Sequence, residues 1–263
     1  MQEQDTVQLT LKHGIATLTL NRPTRLNSFT ETLHQELATK FNQVSQDAEV
    51  RVIVITGQGR GFCAGQDLAE TANHEHIPLP LEGNLERFYN PLIRSIRQAN
   101  KPVIAAVNGV AAGAGANLAL ACDIVIASES ARFIQSFCNI GLIPDAGGTW
   151  MLPRLVGYAK AMGLTLLGEA IDAQQAENMG MIWQAVPDDE FQDRVEQLAL
   201  NLAKRPTQAL ALTKQALYRS SEHNLTQQLE LERNLQYFAL HTSDFKEGVQ
   251  AFQEKRTPVF IGR

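Results

Sequence analysis

The residues best suited to do chemistry in this 263-residue chain fall in three short stretches rich in glycine and alanine. Gly141-Leu142-Ile143-Pro144-Asp145-Ala146-Gly147-Gly148-Thr149 carries one carboxylate between apolar neighbours. Set among Ile143, Pro144 and Ala146, Asp145 would lose hydration, and its pKa would rise towards the range useful for proton transfer. The same aspartate also suits the N-cap of a helix beginning just after it, and composition alone favours that cap. Asn108-Gly109-Val110-Ala111-Ala112-Gly113-Ala114-Gly115-Ala116-Asn117 leads into a helix, where free N–H groups and the helix dipole favour negative charge. Close helix–sheet packing would use the same small residues. Gly57-Gln58-Gly59-Arg60-Gly61-Phe62-Cys63-Ala64-Gly65-Gln66-Asp67-Leu68 reads as a turn after a buried strand, and Gly65 would let a backbone N–H approach a ligand closely. A dinucleotide fingerprint starting at Gly57 would need glycine where Phe62 stands. Two such turns, each following a buried strand, can aim two backbone donors at one oxygen, which is what an enolate-like oxyanion requires.

Other reactive residues lack partners in the sequence. His74-Glu75-His76 has no further clustered ligands and reads as a solvated loop rather than a metal site. Cys63 and Cys138 flank two of the stretches, but no histidine partner for a nucleophile is evident. The charges of Glu230-Leu231-Glu232-Arg233 read as an exposed helix face.

The elements that must position these groups follow an alternating pattern. Residues 7–12 and 15–20 alternate apolar and polar around His13-Gly14, a hairpin signal. Thr30 can cap a helix to about Gln46, with Leu33, Leu37, Phe41 and Val44 on one face. Residues 52–56 and 102–107 are short apolar runs typical of strands buried on both sides. A polar loop over about 73–83 and a helix over about 85–97 lie between them. Residues 123–127 and 132–134 read as further strands. From about Gly147 the pattern turns helical: Asp172 or its neighbour can cap a short helix, residues 182–186 suit a last strand, and Pro206 suits the first turn of a helix. Helices over 225–240 and 244–254 follow, the last presenting Phe245, Val249 and Phe252. Strand–helix alternation with a helical tail implies an α/β core plus a helical C-terminal part.

Composition narrows the class. The chain is 44% hydrophobic and 19% charged, enough to fill a sizeable core. A net charge of -5 argues against nucleic-acid binding, which needs a basic face. Three cysteines at irregular spacing suggest a reducing compartment. The polar start and the lack of a long apolar run predict a cytoplasmic protein without a membrane partner.

Taken together, Asn21-Arg22-Pro23, Gly61-Phe62-Cys63-Ala64-Gly65-Gln66-Asp67-Leu68, the Asn108 to Ala116 stretch and Gly141 to Thr149 resemble the crotonase, or enoyl-CoA hydratase/isomerase, superfamily. The resemblance covers essentially the whole chain, down to Ala251-Phe252-Gln253-Glu254-Lys255-Arg256-Thr257-Pro258. Glu86 to Leu92 and Gly148 to Arg154 bring it nearest to the branch of ring 1,2-epoxyphenylacetyl-CoA isomerases. The resemblance implies a crotonase-type ββα spiral core over 1–195 and a C-terminal helical trimerisation region over 196–263. It also implies a homo-oligomer, either a trimer or a dimer of trimers. CoA would enter as part of the substrate, with no separate cofactor and no metal.

The resemblance also implies roles. The backbone N–H groups of Gln66 and Ala114 would hold the thioester oxygen, and Asp145 would be the acid/base. Arg25 would lie near the nucleotide part of CoA, with Ala64, Asp67 and Leu68 along its path. Gly113, Tyr89 and Asn117 would also take part in binding the acyl-CoA, Tyr89 as a wall of the acyl pocket. Phe252 and Lys255 would reach the CoA of a neighbouring subunit. Family hydratases carry two glutamates where this chain has Asn117 and Phe137, so isomerisation of an acyl-CoA thioester is expected over water addition. A 3-enoyl-CoA shift would use the same parts. A hydratase and a non-catalytic CoA-binding scaffold remain as alternatives.

Overall fold

The computed structural model describes residues 5–69 and 83–263. His74, Glu75 and His76, and nearly all of the polar stretch around them, lie outside those residues. β1 (Val7–Lys12) and β2 (Ile15–Leu20) pair as the antiparallel hairpin that their alternation predicts. β3 (Val52–Gly57), β5 (Val103–Val107), β7 (Ile124–Ser128) and β10 (Gln184–Val186) extend the sheet in parallel, in the order β1-β2-β3-β5-β7-β10. A second sheet has the order β4-β6-β8-β9 and consists of β4 (Gly61–Cys63), β6 (Val110–Ala112), β8 (Arg132–Ile134) and β9 (Ala170–Asp172).

The chain therefore repeats one move. It lays a strand in the large sheet, turns, and lays a short strand in the small one, as β3–β4, β5–β6 and β7–β8. Gly61–Cys63, expected as part of a turn, is a strand, and β6 and β9 lie outside the expected elements. Three residues carry little periodic signal, and the small residues around β4 and β6 obscure it further.

Alternate side chains of the large sheet serve two cores. Ile53 and Ile55 face a cluster with Leu33, Leu37 and Phe41 of α1 (Glu31–Gln46), whereas Val52 and Val54 join Val195, Ala199 and Ala203 of α6. The helix α6 spans Phe191–Ala203, so the boundary expected between 195 and 196 falls inside it and the chain leaves the sheet only after Ala203. Thr30 caps α1 by accepting a hydrogen bond from the Leu33 N–H at 3.2 Å, as expected.

The helix expected over 85–97 starts with a π-helical turn, Leu85–Tyr89, before α2 (Asn90–Gln98). Pro91 sits at the junction and has no N–H to donate to the regular ladder. α3 (Ala114–Ala121) follows β6, α4 (Gly148–Leu167) follows the Asp145 stretch, and α5 (Ala173–Asn178) carries the capping box of Asp172. The C-terminal part is α7 (Thr207–Ser220), α8 (Leu225–Leu240) and α9 (Ser243–Glu254). Lys214 of α7 fastens it to the core through a 2.8 Å ion pair with Asp123 and a 2.9 Å hydrogen bond to the Ile96 carbonyl. Asp123 also accepts from the Tyr218 hydroxyl and, at 2.7 Å, from the Val103 N–H.

Candidate active site

β4 and β6 are parallel neighbours, so the turns at their C-terminal ends open side by side. Gly65 has φ +85°, and a side-chain carbon added there would lie 3.0 Å from the Ala112 carbonyl and 3.5 Å from the Ala114 nitrogen. The two turns therefore touch, and only glycine allows it. Gly113, at φ +53°, donates to the Ile134 carbonyl at 2.8 Å and swings the chain into α3. Ala114 is then the first helical residue, and its N–H has no acceptor within the helix.

Gln66 is flanked by two bonds that bypass it: Phe29 N–H to the Gly65 carbonyl at 2.7 Å, and Asp67 N–H to the Phe29 carbonyl at 2.9 Å. Among the described residues, neither the Gln66 nor the Ala114 N–H donates to the protein. Two free donors in touching turns are the arrangement that holds an oxyanion.

Asp145 is not the helix cap that composition favoured. The N-cap of α4 is Gly147, which caps with no side chain, and the Gly148 N–H bonds the backbone carbonyl of Asp145 at 2.8 Å. Its carboxylate is thus left over from secondary structure. Oδ1 is buried with no hydrogen-bond partner, and desolvation raises the Asp145 pKa to about 6. Asn117 was expected among the residues that bind the acyl-CoA. It is instead fully buried, accepting from Gln135 Nε2 at 2.9 Å and donating to the Asp145 carbonyl at 2.9 Å. It positions the Asp145 segment. Phe137 is buried beside Gly113, its ring 3.7 Å from where a side-chain carbon would stand.

Tyr89 links the two halves of the site. Its hydroxyl donates to Gln66 Oε1 at 2.7 Å. Burial raises its pKa above the ordinary range, and the neighbouring Cys63 and Asp145 add to the effect. The Tyr89 ring meets Phe29 edge-on at 5.3 Å and His34 edge-on at 4.3 Å. His34 lies between Phe29 and Phe88, stacked at 4.3 and 5.3 Å, with neither ring nitrogen bonded. Burial lowers its pKa to about 3, so it is a neutral aromatic plate. Sequence reading missed His34 and Gln135, because a histidine on an apolar helix face and a lone glutamine carry no motif. Cys63 is buried and its thiol is pushed up to about 12, which keeps it protonated and unreactive.

The residues expected along CoA differ in exposure. Arg25 is exposed at the end of a short 3-10 turn, Pro23–Arg25, and Leu68 is half exposed. Ala64 is held by its N–H to the Leu26 carbonyl at 3.0 Å. Asp67 is buried and paired with Arg22 at 2.9 Å, while Arg22 also donates to the Ser28 carbonyl at 2.6 Å, so this pair ties the turn after β4 to the segment before α1. Phe252 is 85% exposed on α9, and Lys255 ends that helix in a left-handed conformation.

Two abutting backbone donors on paired ββ turns and one desolvated carboxylate are the groups that enolate chemistry at a thioester requires. The chain belongs to the enoyl-CoA hydratase/isomerase family, which it matches over residues 10–263. It is an enzyme of that acyl-CoA family with its crotonase fold. It is 52% identical to the 1,2-epoxyphenylacetyl-CoA isomerase of Escherichia coli (strain K12), over 96% of this chain and 97% of the other. It is 48% identical to a probable enoyl-CoA hydratase of Rhodobacter capsulatus, over 98% of each. A crystal structure of an enoyl-CoA hydratase from Bacillus anthracis matches with a TM-score of 0.93 at 34% identity, covering 98% of this chain and 100% of that one.

Proposed function

We propose that the chain is an isomerase of acyl-CoA thioesters that converts ring 1,2-epoxyphenylacetyl-CoA to the seven-membered oxepin thioester. The observation that carries the reading is Asp145, a half-buried carboxylate whose Oδ1 has no hydrogen-bond partner, together with positions 117 and 137, which hold no carboxylate. Water addition needs a group to activate the water and another to protonate the product carbon. Isomerisation needs one base that returns its proton elsewhere on the same molecule. The similarity to an isomerase named for this epoxide supports the choice of substrate.

The thioester oxygen accepts from the Gln66 and Ala114 N–H groups, which stabilise the enolate as it forms. The Asp145 carboxylate takes the proton from the carbon beside the thioester. The ring bond between the two oxygen-bearing carbons opens, and Asp145 returns the proton to a ring carbon, so atoms and mass are conserved. A 3-enoyl-CoA to 2-enoyl-CoA shift uses the same two proton positions relative to the thioester. Arg25, Ala64 and Leu68 bind the CoA portion, with Phe252 and Lys255 of a neighbouring copy, in a trimer or a dimer of trimers.

The test is to follow both thioesters by mass and absorbance. Wild type is expected to form products of unchanged mass, and Asp145→Asn to form none. A gain of one water would make the enzyme a hydratase. Binding without turnover of either thioester would make it a scaffold.

A further inference from the structure

The geometry points to a second recognition donor: the side-chain amide of Gln66, clamped by the Tyr89 hydroxyl, reads an oxygen on the acyl group. This inference rests on the acyl-CoA isomerase reading and deepens it by naming what selects an oxygenated ring.

Tyr89 is 2% exposed and fixed by ring contacts to Phe29 and His34. Its phenol stays protonated because burial, Cys63 and Asp145 all oppose ionisation. It has one hydrogen to give, and that hydrogen goes to Gln66 Oε1. The amide orientation is thereby set. Oε1 is committed to Tyr89, and Nε2 faces away with its hydrogens and no acceptor among the described residues. A half-buried donor that is held in place without an acceptor gains by meeting one on a ligand.

Its location makes that ligand the substrate. The backbone N–H of the same residue is one of the two oxyanion donors, so one side chain separates the amide from the thioester oxygen. In a ring-epoxide phenylacetyl thioester, the carbonyl oxygen and the ring oxygen are likewise only a few bonds apart. Gln66 spans both. A plain enoyl chain satisfies the backbone donor and leaves the amide without a partner. Sites built around such a donor reject analogues that lack the oxygen.

Binding separates this role from turnover. Phenylacetyl-CoA and 2-hydroxyphenylacetyl-CoA, which carries an oxygen on the ring carbon next to the side chain, are titrated calorimetrically into wild type, Gln66→Leu, Gln66→Met and Tyr89→Phe. Wild type is expected to bind the hydroxylated thioester about tenfold more tightly than the plain one, a difference of one good hydrogen bond. Both Gln66 variants are expected to bring that ratio to about one. Tyr89→Phe keeps the ring but frees the amide to rotate, and it is expected to give an intermediate ratio. No preference in wild type, an unchanged ratio in the Gln66 variants, or equal losses for both thioesters would overturn the inference. None of these results depends on catalysis, so failure of the epoxide assay sinks the isomerase reading separately.

Discussion

Asp145 bears an electrostatic penalty that its chemistry uses. Its pKa is raised to about 6 from the ordinary 3.8 because burial disfavours the anion. The native state therefore binds the proton more tightly than the unfolded chain does. Below the unfolded value the proton is bound in both states and the penalty is absent. It grows between about 4 and 6 and is complete above 6. Asp145→Asn is expected to be inactive yet more stable than wild type by about 1–3 kcal/mol at pH 8, with the gain vanishing near pH 4. Chemical denaturation at the two pH values measures it. If Asp145 acts as the base, kcat/KM for wild type rises with pH through an apparent pKa near 6, as a pH–rate profile would record.

At the scale of elements, the oxyanion donors depend on turn geometry more than on any side chain. Ala114 is aimed by the positive φ of Gly113 and by the bond from Gly113 to β8. Gly113→Val cannot hold that conformation without strain. We expect kcat to fall by about 10²–10³ with a smaller change in KM, the signature of losing one such donor. Steady-state kinetics on whichever thioester is turned over decides this, and a loss confined to KM would contradict it. A largely buried ion pair helps to fasten the helical C-terminal part. Lys214→Met leaves Asp123 with the Tyr218 hydroxyl, the Val103 N–H and the charge of Arg97 beyond the Tyr218 ring, but without its nearest opposite charge. Destabilisation of about 1–3 kcal/mol is expected, read from the urea midpoint, because a largely buried carboxylate that loses its closest counter-charge is costly.

For the whole molecule, apolar exposure concentrates in the helical half. Tyr158, Met162, Leu166 and Leu167 of α4, Tyr237 and Phe238 of α8, and Phe252 of α9 are all exposed in the single chain. So much apolar surface on three helices suits burial between copies. Light scattering is expected to give the mass of a trimer or of two trimers, and a monomeric mass would remove Phe252 and Lys255 from the CoA site. Among the described residues no helix is long and apolar enough to cross a membrane.

Much of this architecture was legible in the residues themselves. The hairpin, α1 with its Thr30 cap, and the buried strands β3 and β5 follow from periods of two and 3.6 and from local hydrogen bonding, which any segment carries alone. The glycine-rich turns and Asp145 could be picked out because chemistry restricts which residues serve there. Of the three-residue strands, β8 and β10 were also legible, whereas β4, β6 and β9 take their form from pairing with partners distant in the chain. The environment of Asp145 was legible only in part. Its apolar neighbours predicted desolvation, but the cap reading failed because α4 starts at Gly148 rather than directly after it. Asn117, itself held by Gln135, meets Asp145 from another element, and Tyr89 reaches Gln66. Sequence by itself determined which groups could act. Tertiary structure decided which of them are dry, free of partners and close together, because solvation and distance depend on contacts between segments far apart in the chain.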